Sequence, residues 1–331
     1  MISTVTLSRF VMSEERKHKG ATGELSDLLS AISLGIKYIS SAVSSTRLSD
    51  ASEYTGVKNS HGEDTKILDE QADEILVEIL GSSGHFGLMV SEERDTVIGT
   101  LADSISSKYV VAFDPLDGSS NLGSNIPVGT IFTIFRKSEL GRAAESTDFL
   151  KSGREIVAAG YAIYGTRTSF VYSSGAGVHG FVLDSTIGEF ILSEREIKSP
   201  ERGKVYSINE GNSAKWPAPV SRFVAGLKEH DSSRGTPYSL RYVGSLVADF
   251  DRNLRNGGIF LYPSDTKNPR GKLRLLYECM PLAFIAEQAG AVSFDGEKSI
   301  LDILPNNIHE RSPLYIGSSG EMRELIEEFR S

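Results

Sequence analysis

The spacing of hydrophobic residues along the chain predicts both helices and strands. Between Glu24 and Val43 apolar residues recur every three or four positions, and the same spacing returns at 68–80, so both segments are predicted to be amphipathic helices. Other apolar runs are too short for helices and are rich in Val, Phe and Tyr, which predicts strands. These runs cover 86–90, 109–113, 128–135, 156–164, 178–183 and 189–192.

Proline and glycine interrupt this pattern around 198–203, where we predict a boundary between an N-terminal domain, 1–198, and a C-terminal domain, 199–331. Beyond it, strands are predicted at 204–208 and 258–262, and helices at 217–229, 244–256, 280–289 and 320–330. The polar stretch 46–66 predicts a mobile loop, and 138–153 predicts a surface loop or short helix. Strands alternate with helices without a strictly parallel rhythm, so a layered α/β (α+β) fold with mixed sheets is expected.

The composition narrows the class of protein. With 331 residues, 39% hydrophobic and 24% charged, the chain resembles an ordinary soluble globular protein. A single cysteine, Cys279, excludes an internal disulfide and a multi-cysteine zinc site, and it fits a reducing compartment. The sequence has no run of about 18 apolar residues and no secretory signal, so a cytoplasmic protein without a membrane span is expected. The net charge of −9 argues against binding to nucleic acid or to an anionic membrane.

The negative charge is concentrated in one segment. Residues 61–117 contain thirteen acidic and three basic residues, so this segment carries the whole negative excess of the chain. Acids gather at three predicted element ends, namely Glu63 with Asp69, Glu92 with Glu93, and Asp114 with Asp117. Hard carboxylate oxygens arranged in this way are expected of a site for several divalent cations, which clamp phosphate and activate water.

The sharpest local motif is Asp114–Ser120, which directly follows a predicted strand. Pro115 removes a backbone donor, and Gly118 allows a tight turn. The two carboxylates suit Mg²⁺, and the glycine and serine amides beside them suit phosphate oxygens. Taken alone, the motif also fits an aspartate-rich β-turn, and the two other acidic groups favour the metal site.

A basic segment at 241–274 contrasts with the acidic one. It holds seven basic residues against Asp249, Asp251 and Asp265. An acidic cluster and a basic segment in one chain suggest an anionic substrate, held by cations on one side and by lysine and arginine on the other.

Six motifs spread almost end to end resemble the fructose-1,6-bisphosphatase family of Mg²⁺-dependent, lithium-sensitive sugar and inositol phosphatases. Inositol monophosphatases share the core of Asp114–Ser120, and the more specific matches are Thr22–Ser26, Asn209–Gly211, Arg241–Ser245, Gly258–Pro263 and Lys272–Glu278. The resemblance implies a layered α-β-α-β-α sandwich and hydrolysis of the 1-phosphate of D-fructose 1,6-bisphosphate in gluconeogenesis. It also implies about two or three Mg²⁺ ions per subunit, with Mn²⁺ as a substitute.

The resemblance further implies roles for individual residues. Glu92, Asp114, Asp117 and Glu278 are expected to bind metal through their side chains, and Leu116 through its backbone carbonyl. Glu63, Asp69 and Glu93 are expected to support the third metal and to orient the attacking water. Expected substrate contacts are Gly118, Ser119, Ser120, Asn209, Arg241, Tyr242, Tyr262, Lys272 and Arg274.

The family also has an allosteric AMP site and forms oligomers, which implies both for this chain. A helix N-terminus with two cations nearby is suited to a phosphate. A homotetramer is expected, in which Arg241 reaches into a neighbouring subunit's site. One departure is Asn212, which stands where animal enzymes have a tyrosine that touches the 6-phosphate. The implied AMP residues are Thr22, Gly23, Glu24, Leu25, Ser26, Lys108, Tyr109 and Arg136.

Three other functions stay open on the sequence alone. They are a sedoheptulose-1,7-bisphosphatase, an inositol-phosphate phosphatase and a catalytically weak AMP-binding regulatory homologue. Asn209–Gly211 and Arg241–Ser245 favour the fructose enzyme over the first. The basic segment favours a substrate with a second phosphate over the second, and the complete set of metal acids argues against the third.

Overall fold

Helices and strands follow one another along the chain much as the hydrophobic pattern predicts. The computed structural model describes residues 5–17, 22–46, 54–58, 64–99, 105–231, 235 and 237–331, with the backbone alone for 54–58 and 64–66. Within these residues the helices are α1 (Leu7–Glu15), α2 (Glu24–Ser45), α3 (Ile67–Ser83), α4 (Ala218–Lys228), α5 (Leu246–Asn256), α6 (Met280–Gln288) and α7 (Ser319–Arg330). The strands are β1 (Tyr54–Lys58), β2 (Asp64–Lys66), β3 (Phe86–Ser91), β4 (Tyr109–Asp117), β5 (Val128–Arg136), β6 (Ile156–Tyr164), β7 (Thr168–Ser173), β8 (His179–Asp184), β9 (Glu189–Glu194), β10 (Val205–Ser207), β11 (Ser239–Leu240), β12 (Ile259–Tyr262), β13 (Leu273–Arg274), β14 (Val292–Phe294), β15 (Arg311–Ser312) and β16 (Leu314–Gly317).

A large mixed sheet lies at the centre of the N-terminal half. In the described residues it has seven strands in the order β3–β4–β5–β6–β7–β8–β9, and only β3 and β4 run parallel. Successive side chains of β4 point to opposite faces. Val111 and Phe113 pack with α1, α2 and α3, whereas Val110 and Ala112 join the core that includes α5 and α6. The sheet is therefore covered on both faces.

A second sheet, with strand order β11–β10–β12–β16–β14, lies in the described part of the C-terminal half. Helices α5 and α6 fill the space between the two sheets, since Val247 and Ile285 share one core with β5 and β16. Helices α4 and α7 cover the outer face through Val220 and Met322. The described residues thus form α-β-α-β-α layers, which confirms the predicted fold class.

The structure differs from the predicted elements in several places. β11, β13, β14, β15 and β16 are not predicted, because runs of two to four residues are too short to show an alternating pattern. α1 and β7 are not predicted, because each has too few apolar residues for a clear period. β4 is predicted to end before Pro115 but continues to Asp117, since a bulge between Asp114 and Asp117 accommodates the missing proline donor. The stretch 46–66, predicted as a loop, contains β1 and β2, while 47–53 and 59–63 lie outside the described residues.

Helix α2 is, by length and composition alone, long and apolar enough to cross a membrane, although no such span is expected from the sequence. Its residues Leu28, Ile32 and Ile36 are at most 2% exposed. They belong to the core that α2 shares with α3 and the first sheet. In this structure α2 is therefore a core helix of the layered fold.

Candidate active site

Two neighbouring strand ends bring the first acidic groups together. β3 and β4 are parallel, so their C-terminal ends lie at the same edge of the sheet. Ser91 pairs with Phe113, and the backbone N–H of Glu92 donates to the carbonyl of Phe113 at 3.1 Å. The pairing places Glu92 and Glu93 next to the residues that follow Phe113 on β4.

A bulge and a left-handed glycine shape the end of β4. Asp114 Oδ1 accepts a hydrogen bond from the backbone N–H of Leu116 at 3.0 Å, which closes the bulge. Gly118 has φ = +79°, and a Cβ there would lie 3.1 Å from Ser245 Oγ. Both the left-handed backbone and the lack of space therefore favour glycine. A short 3₁₀ helix, Ser119–Ser124, follows directly. Successive backbone N–H groups therefore come immediately after the two aspartates, an arrangement that suits an anion.

The C-terminal half supplies a third buried carboxylate, Glu278. It lies in a single π-helical turn, Leu275–Cys279, just before α6, a local geometry that is frequent at functional sites. Its Oε2 accepts from the backbone N–H of Arg274 at 2.5 Å. One carboxylate oxygen each of Asp114, Asp117 and Glu278 lies within 4.8 Å of the other two. This spacing fits oxygen ligands around a shared divalent cation.

Burial and mutual repulsion oppose the ionisation of these carboxyl groups. Burial raises the pKa of Asp114 and of Glu278 well above the ordinary range, and the charge of Glu92 adds to both shifts. Burial also raises the pKa of Asp117 to about 7, although its Oδ2 accepts from the backbone N–H of Val247 at 3.0 Å. A cation among the three groups would favour their ionised forms, so the donor set fits a hard divalent ion.

A cavity of about 340 Å³, here called the acidic cavity, opens over this cluster. Arg274 is 2% exposed in its wall, with Nη2 at 3.9 Å from Glu92 Oε1. Glu63 lies outside the described residues. The sequence-predicted residues that line the acidic cavity are Asp69, Glu92, Glu93, Asp114, Leu116, Asp117, Gly118, Ser119, Ser120, Tyr242, Tyr262, Lys272, Arg274 and Glu278.

A second cavity of about 330 Å³, here called the basic cavity, adjoins the first. The two share Tyr242, Tyr262 and Lys272, so they form one cleft. Asn209 lines the basic cavity, whereas Arg241 is not among the described residues that line either one. Arg241 is exposed, and its Nη1 donates to the carbonyl of Leu240 at 2.9 Å.

Most residues of the predicted nucleotide site meet at a third cavity of about 350 Å³, here called the nucleotide cavity. Glu24 and Lys108 form an ion pair of 3.0 Å at the start of α2. Glu15, which the sequence analysis does not place here, lines the cavity and accepts a hydrogen bond from Ser26 Oγ at 2.5 Å. A carboxylate of the chain therefore lies where a helix start would favour a phosphate. The predicted residues that line this cavity are Thr22, Gly23, Leu25, Ser26, Tyr109 and Arg136.

Sequence reasoning missed two charged residues that hold the backbone of segment 241–245, here called the strap, in place. The carboxylate of Asp249 is buried, accepts from the backbone N–H groups of Val243 and Gly244 at 3.0 Å, and pairs with Arg252 at 2.6 Å. Arg252 also donates to the carbonyl of Arg241 at 2.8 Å. The only signal in the sequence was an acid near the start of a predicted helix, which is equally typical of ordinary helix ends.

Comparison with known proteins adds an independent line of evidence. A family model described as the N-terminal domain of fructose-1-6-bisphosphatase matches residues 5–195, and the C-terminal domain model matches residues 199–330. The chain belongs to the fructose-1,6-bisphosphatase family. This confirms the resemblance that the motifs indicate.

Individual fructose-1,6-bisphosphatases match over nearly their whole length. The class 1 enzyme of Chlorobium phaeovibrioides is 46% identical over 99% of this chain and 98% of its own. The cytosolic enzyme of Brassica napus is 46% identical over 97% of this chain and 94% of its own. A crystal structure of Leishmania major fructose-1,6-bisphosphatase in holo form has a TM-score of 0.91 and 35% identity, covering 98% of both chains. These matches do not favour the sedoheptulose or regulatory alternatives.

The first prediction concerns the buried carboxylates. In metal-free protein, the free energy of unfolding should rise when the pH falls from about 8 to about 6. This rise should be about 1 kcal/mol larger in the parent protein than in Asp117→Asn. The folded-state pKa of Asp117, about 7, lies above its ordinary value, so the folded state takes up a proton that the unfolded state does not. Urea unfolding in excess chelator at the two pH values measures the difference.

Saturating Mg²⁺ should abolish this pH dependence in the parent protein, because a bound cation keeps the carboxylates ionised. It should change little in Asp117→Asn. Equal pH dependence of the two metal-free proteins would show that Asp117 is already ionised in the folded state, and would contradict the argument.

Proposed function

We propose that the chain hydrolyses the 1-phosphate of D-fructose 1,6-bisphosphate, releasing fructose 6-phosphate and phosphate in gluconeogenesis. The observation that carries this proposal is one cleft with clustered carboxylates at one end and lysines at the other. A sugar with two phosphates complements both ends, since one phosphate can meet cations held by the carboxylates while the other meets the lysines. The family and the names of its full-length relatives support the same substrate.

The carboxylates of Glu92, Asp114, Asp117 and Glu278, with the carbonyl of Leu116, would hold the metal. Hard oxygen donors select Mg²⁺ or Mn²⁺ over softer ions, and about two or three ions per subunit are proposed. Cations of this kind polarise phosphoryl oxygens and ease the deprotonation of water.

Glu93 and Asp69 are proposed to handle the proton of the attacking water, together with Glu63. Both described residues line the acidic cavity, and Asp69 is 5% exposed in the first turn of α3. The backbone N–H of Glu93 donates to Ser91 Oγ at 3.3 Å, which braces the turn that carries it. The amides of Gly118–Ser120 would hold the departing phosphate, because they follow the aspartates on the same turn.

Glu93→Gln should lower kcat for fructose 1,6-bisphosphate by about 10²–10⁴-fold with little change in KM, since the amide keeps the shape but accepts no proton. Phosphate release measures this, with fructose 1,6-bisphosphate, sedoheptulose 1,7-bisphosphate and inositol 1-phosphate as substrates, in Mg²⁺ and in excess chelator. The parent protein should prefer the fructose bisphosphate and lose its activity in chelator.

Glu287→Gln is the matched control, because Glu287 is a carboxylate on α6 that pairs with Arg154 at 2.5 Å and does not line the cleft. Unchanged kcat in Glu93→Gln would make Glu93 a structural residue. A clear preference for another substrate would replace the proposed function.

A homotetramer in which Arg241 serves a neighbouring subunit is also proposed. The guanidinium of Arg241 is exposed, and Arg252 holds its backbone carbonyl at 2.8 Å. Arg241 is thus an exposed cation whose backbone is fixed and which does not line the cleft of its own chain. Such a residue suits a contact across an interface. A guanidinium on phosphate is a charge-assisted and often bidentate contact.

Arg241→Ala should weaken substrate binding by about 1.5–3 kcal/mol, as for hydrogen bonds to charged groups. Mixing Arg241→Ala chains with inactive Asp117→Asn chains should restore part of the activity, because a shared site can combine one intact acidic cluster with one intact arginine. Assays of mixtures after subunit exchange, with oligomers sized by light scattering, measure this. Mixed oligomers without activity above the two parents would assign Arg241 to its own subunit.

Inhibition by AMP at the nucleotide cavity is proposed as well, and Glu15 is expected to oppose it. The carboxylate of Glu15 already takes the hydroxyl donor of Ser26, and it repels a phosphate at the start of α2. Inhibition from this cavity requires that AMP bind two states of the enzyme with different affinity.

Glu15→Gln should lower the AMP concentration for half-inhibition by about fivefold, because one repulsive charge is lost. Arg136→Ala should raise it, and neither change should alter KM for fructose 1,6-bisphosphate. Inhibition curves at several substrate concentrations measure both effects. AMP that competes directly with substrate would rule out this cavity.

A cytoplasmic location stays a prediction, in keeping with the plant relatives that are named cytosolic. The division into an AMP-binding domain, 1–198, that carries most metal ligands and a sugar-binding domain, 199–331, also stays a prediction.

A further inference from the structure

The basic cavity contains a lysine that the sequence analysis did not assign to substrate. Lys215, Lys267 and Lys272 line it, and Asp265 is the one acid among the described lining residues. The Oδ1 atom of Asp265 accepts from the backbone N–H groups of Lys267 and Asn268, both at 2.7 Å. Asp265 is thus engaged in its own turn, and the cavity has a positive balance.

Two of the three asparagines that line this cavity, Asn209 and Asn212, present donors to it. Lys215 Nζ donates to Asn212 Oδ1 at 3.3 Å, and the backbone N–H of Gly211 donates to Asn209 Oδ1 at 3.1 Å. Each amide oxygen therefore has a partner within the 3₁₀ helix Glu210–Lys215, which leaves the amide NH₂ groups for a ligand. A phosphate dianion offers only acceptors, so a wall of amide and ammonium donors suits it.

We propose that Lys215 is a specificity-determining residue that binds the second phosphate of the substrate and orients the amide of Asn212 towards it. The proposal rests on the proposed function and extends it to a residue outside the family motifs. It also accounts for Asn212, because an amide fixed by a neighbouring ammonium can donate to phosphate in place of a tyrosine hydroxyl. The second phosphate would then be held by a lysine on a short helix in the wall of the cleft.

The test compares a substrate that has the second phosphate with one that lacks it. Lys215→Met should raise KM for fructose 1,6-bisphosphate about fivefold, which corresponds to about 1 kcal/mol, the upper end for an exposed ion pair. The kcat should stay within about twofold, and kcat/KM for fructose 1-phosphate should not change. Lys215→Arg should keep most of the affinity, since it keeps the charge.

Lys298→Met is the matched control, because it removes one lysine charge outside the residues that line the cleft. Asn212→Ala should raise the same KM, and the double variant Lys215→Met/Asn212→Ala should lose less than the sum of the two single effects. Calorimetry with fructose 6-phosphate should show the same weakening without turnover.

The outcomes separate this proposal from the proposed function. Suppose that the parent protein hydrolyses the bisphosphate and that Lys215→Met has the same KM and the same affinity for fructose 6-phosphate as the parent. Lys215 is then an ordinary surface residue, and the proposal for Lys215 fails while the proposed function stands. An equal loss for fructose 1-phosphate would also overturn it, since the effect would not depend on the second phosphate. A parent protein that hydrolyses neither sugar phosphate would overturn both proposals.

Discussion

The repulsion among buried carboxylates at the end of β4 is the constraint on which the rest of the site depends. Oxygens of Asp114, Asp117 and Glu278 lie within 4.8 Å of one another. Each carboxylate accepts a hydrogen bond from the backbone, Asp114 from Leu116, Asp117 from Val247 and Glu278 from Arg274. These donors come from the β4 bulge, the first turn of α5 and β13. Because a buried charge without partners costs several kcal/mol, the two halves of the chain must meet here for the cluster to form.

Further hydrogen bonds connect the acidic end of the cleft to the strap 241–245. Asn121, in the 3₁₀ helix after the aspartates, donates to the carbonyl of Gly244 at 2.9 Å. Asp249 holds the N–H groups of Val243 and Gly244 from the other side. A displacement of the β4 turn therefore has to be transmitted to Tyr242, which lines both cavities. The spacing between the two ends of the cleft is thus held by hydrogen bonds from the side chains of Asn121 and Asp249 to the backbone of the strap.

An ion pair joins the turn that carries Glu92 and Glu93 to α3. Arg94 Nε donates to Asp73 Oδ2 at 2.6 Å, and the Asp73 side chain is 5% exposed. Asp73 and Asp69 are four residues apart, so they lie on the same face of α3. The ion pair thereby ties the turn that carries Glu93 to the helix that carries Asp69. Two of the three proposed proton-handling residues, Glu93 and Asp69, consequently depend on the packing of α3 against the sheet.

The sequence predicted local features well and long-range ones poorly. Acids placed after apolar runs indicated the strand-end positions of Glu92 and Asp114, because periodicity and turn residues are local signals. Glu278 could be named only through family resemblance, since its place in the cluster depends on how α6 packs between the sheets. Pro115 misled the strand prediction because the bulge that accommodates it depends on pairing with β5. The contacts of Glu15 and Lys215 likewise arise from tertiary packing or from side-chain orientation that spacing does not reveal.

The balance between hydrogen-bond donors and acceptors in each cavity explains why neighbouring polar cavities favour ligands of opposite charge. In the acidic cavity the three buried carboxylates carry six oxygen atoms in total and one negative charge each when ionised, which the backbone N–H groups they accept do not neutralise, so the cluster favours a cation. In the basic cavity Asp265 accepts hydrogen bonds within its own turn, and the side-chain oxygens of Asn209 and Asn212 are engaged. The amide and lysine donors therefore outnumber the acceptors there and favour an anion. At the start of α2 the chain supplies the anion itself, through Glu15 on Ser26. A bound phosphate there must replace that contact, and so its affinity is set by a competition within the protein rather than by the helix start alone.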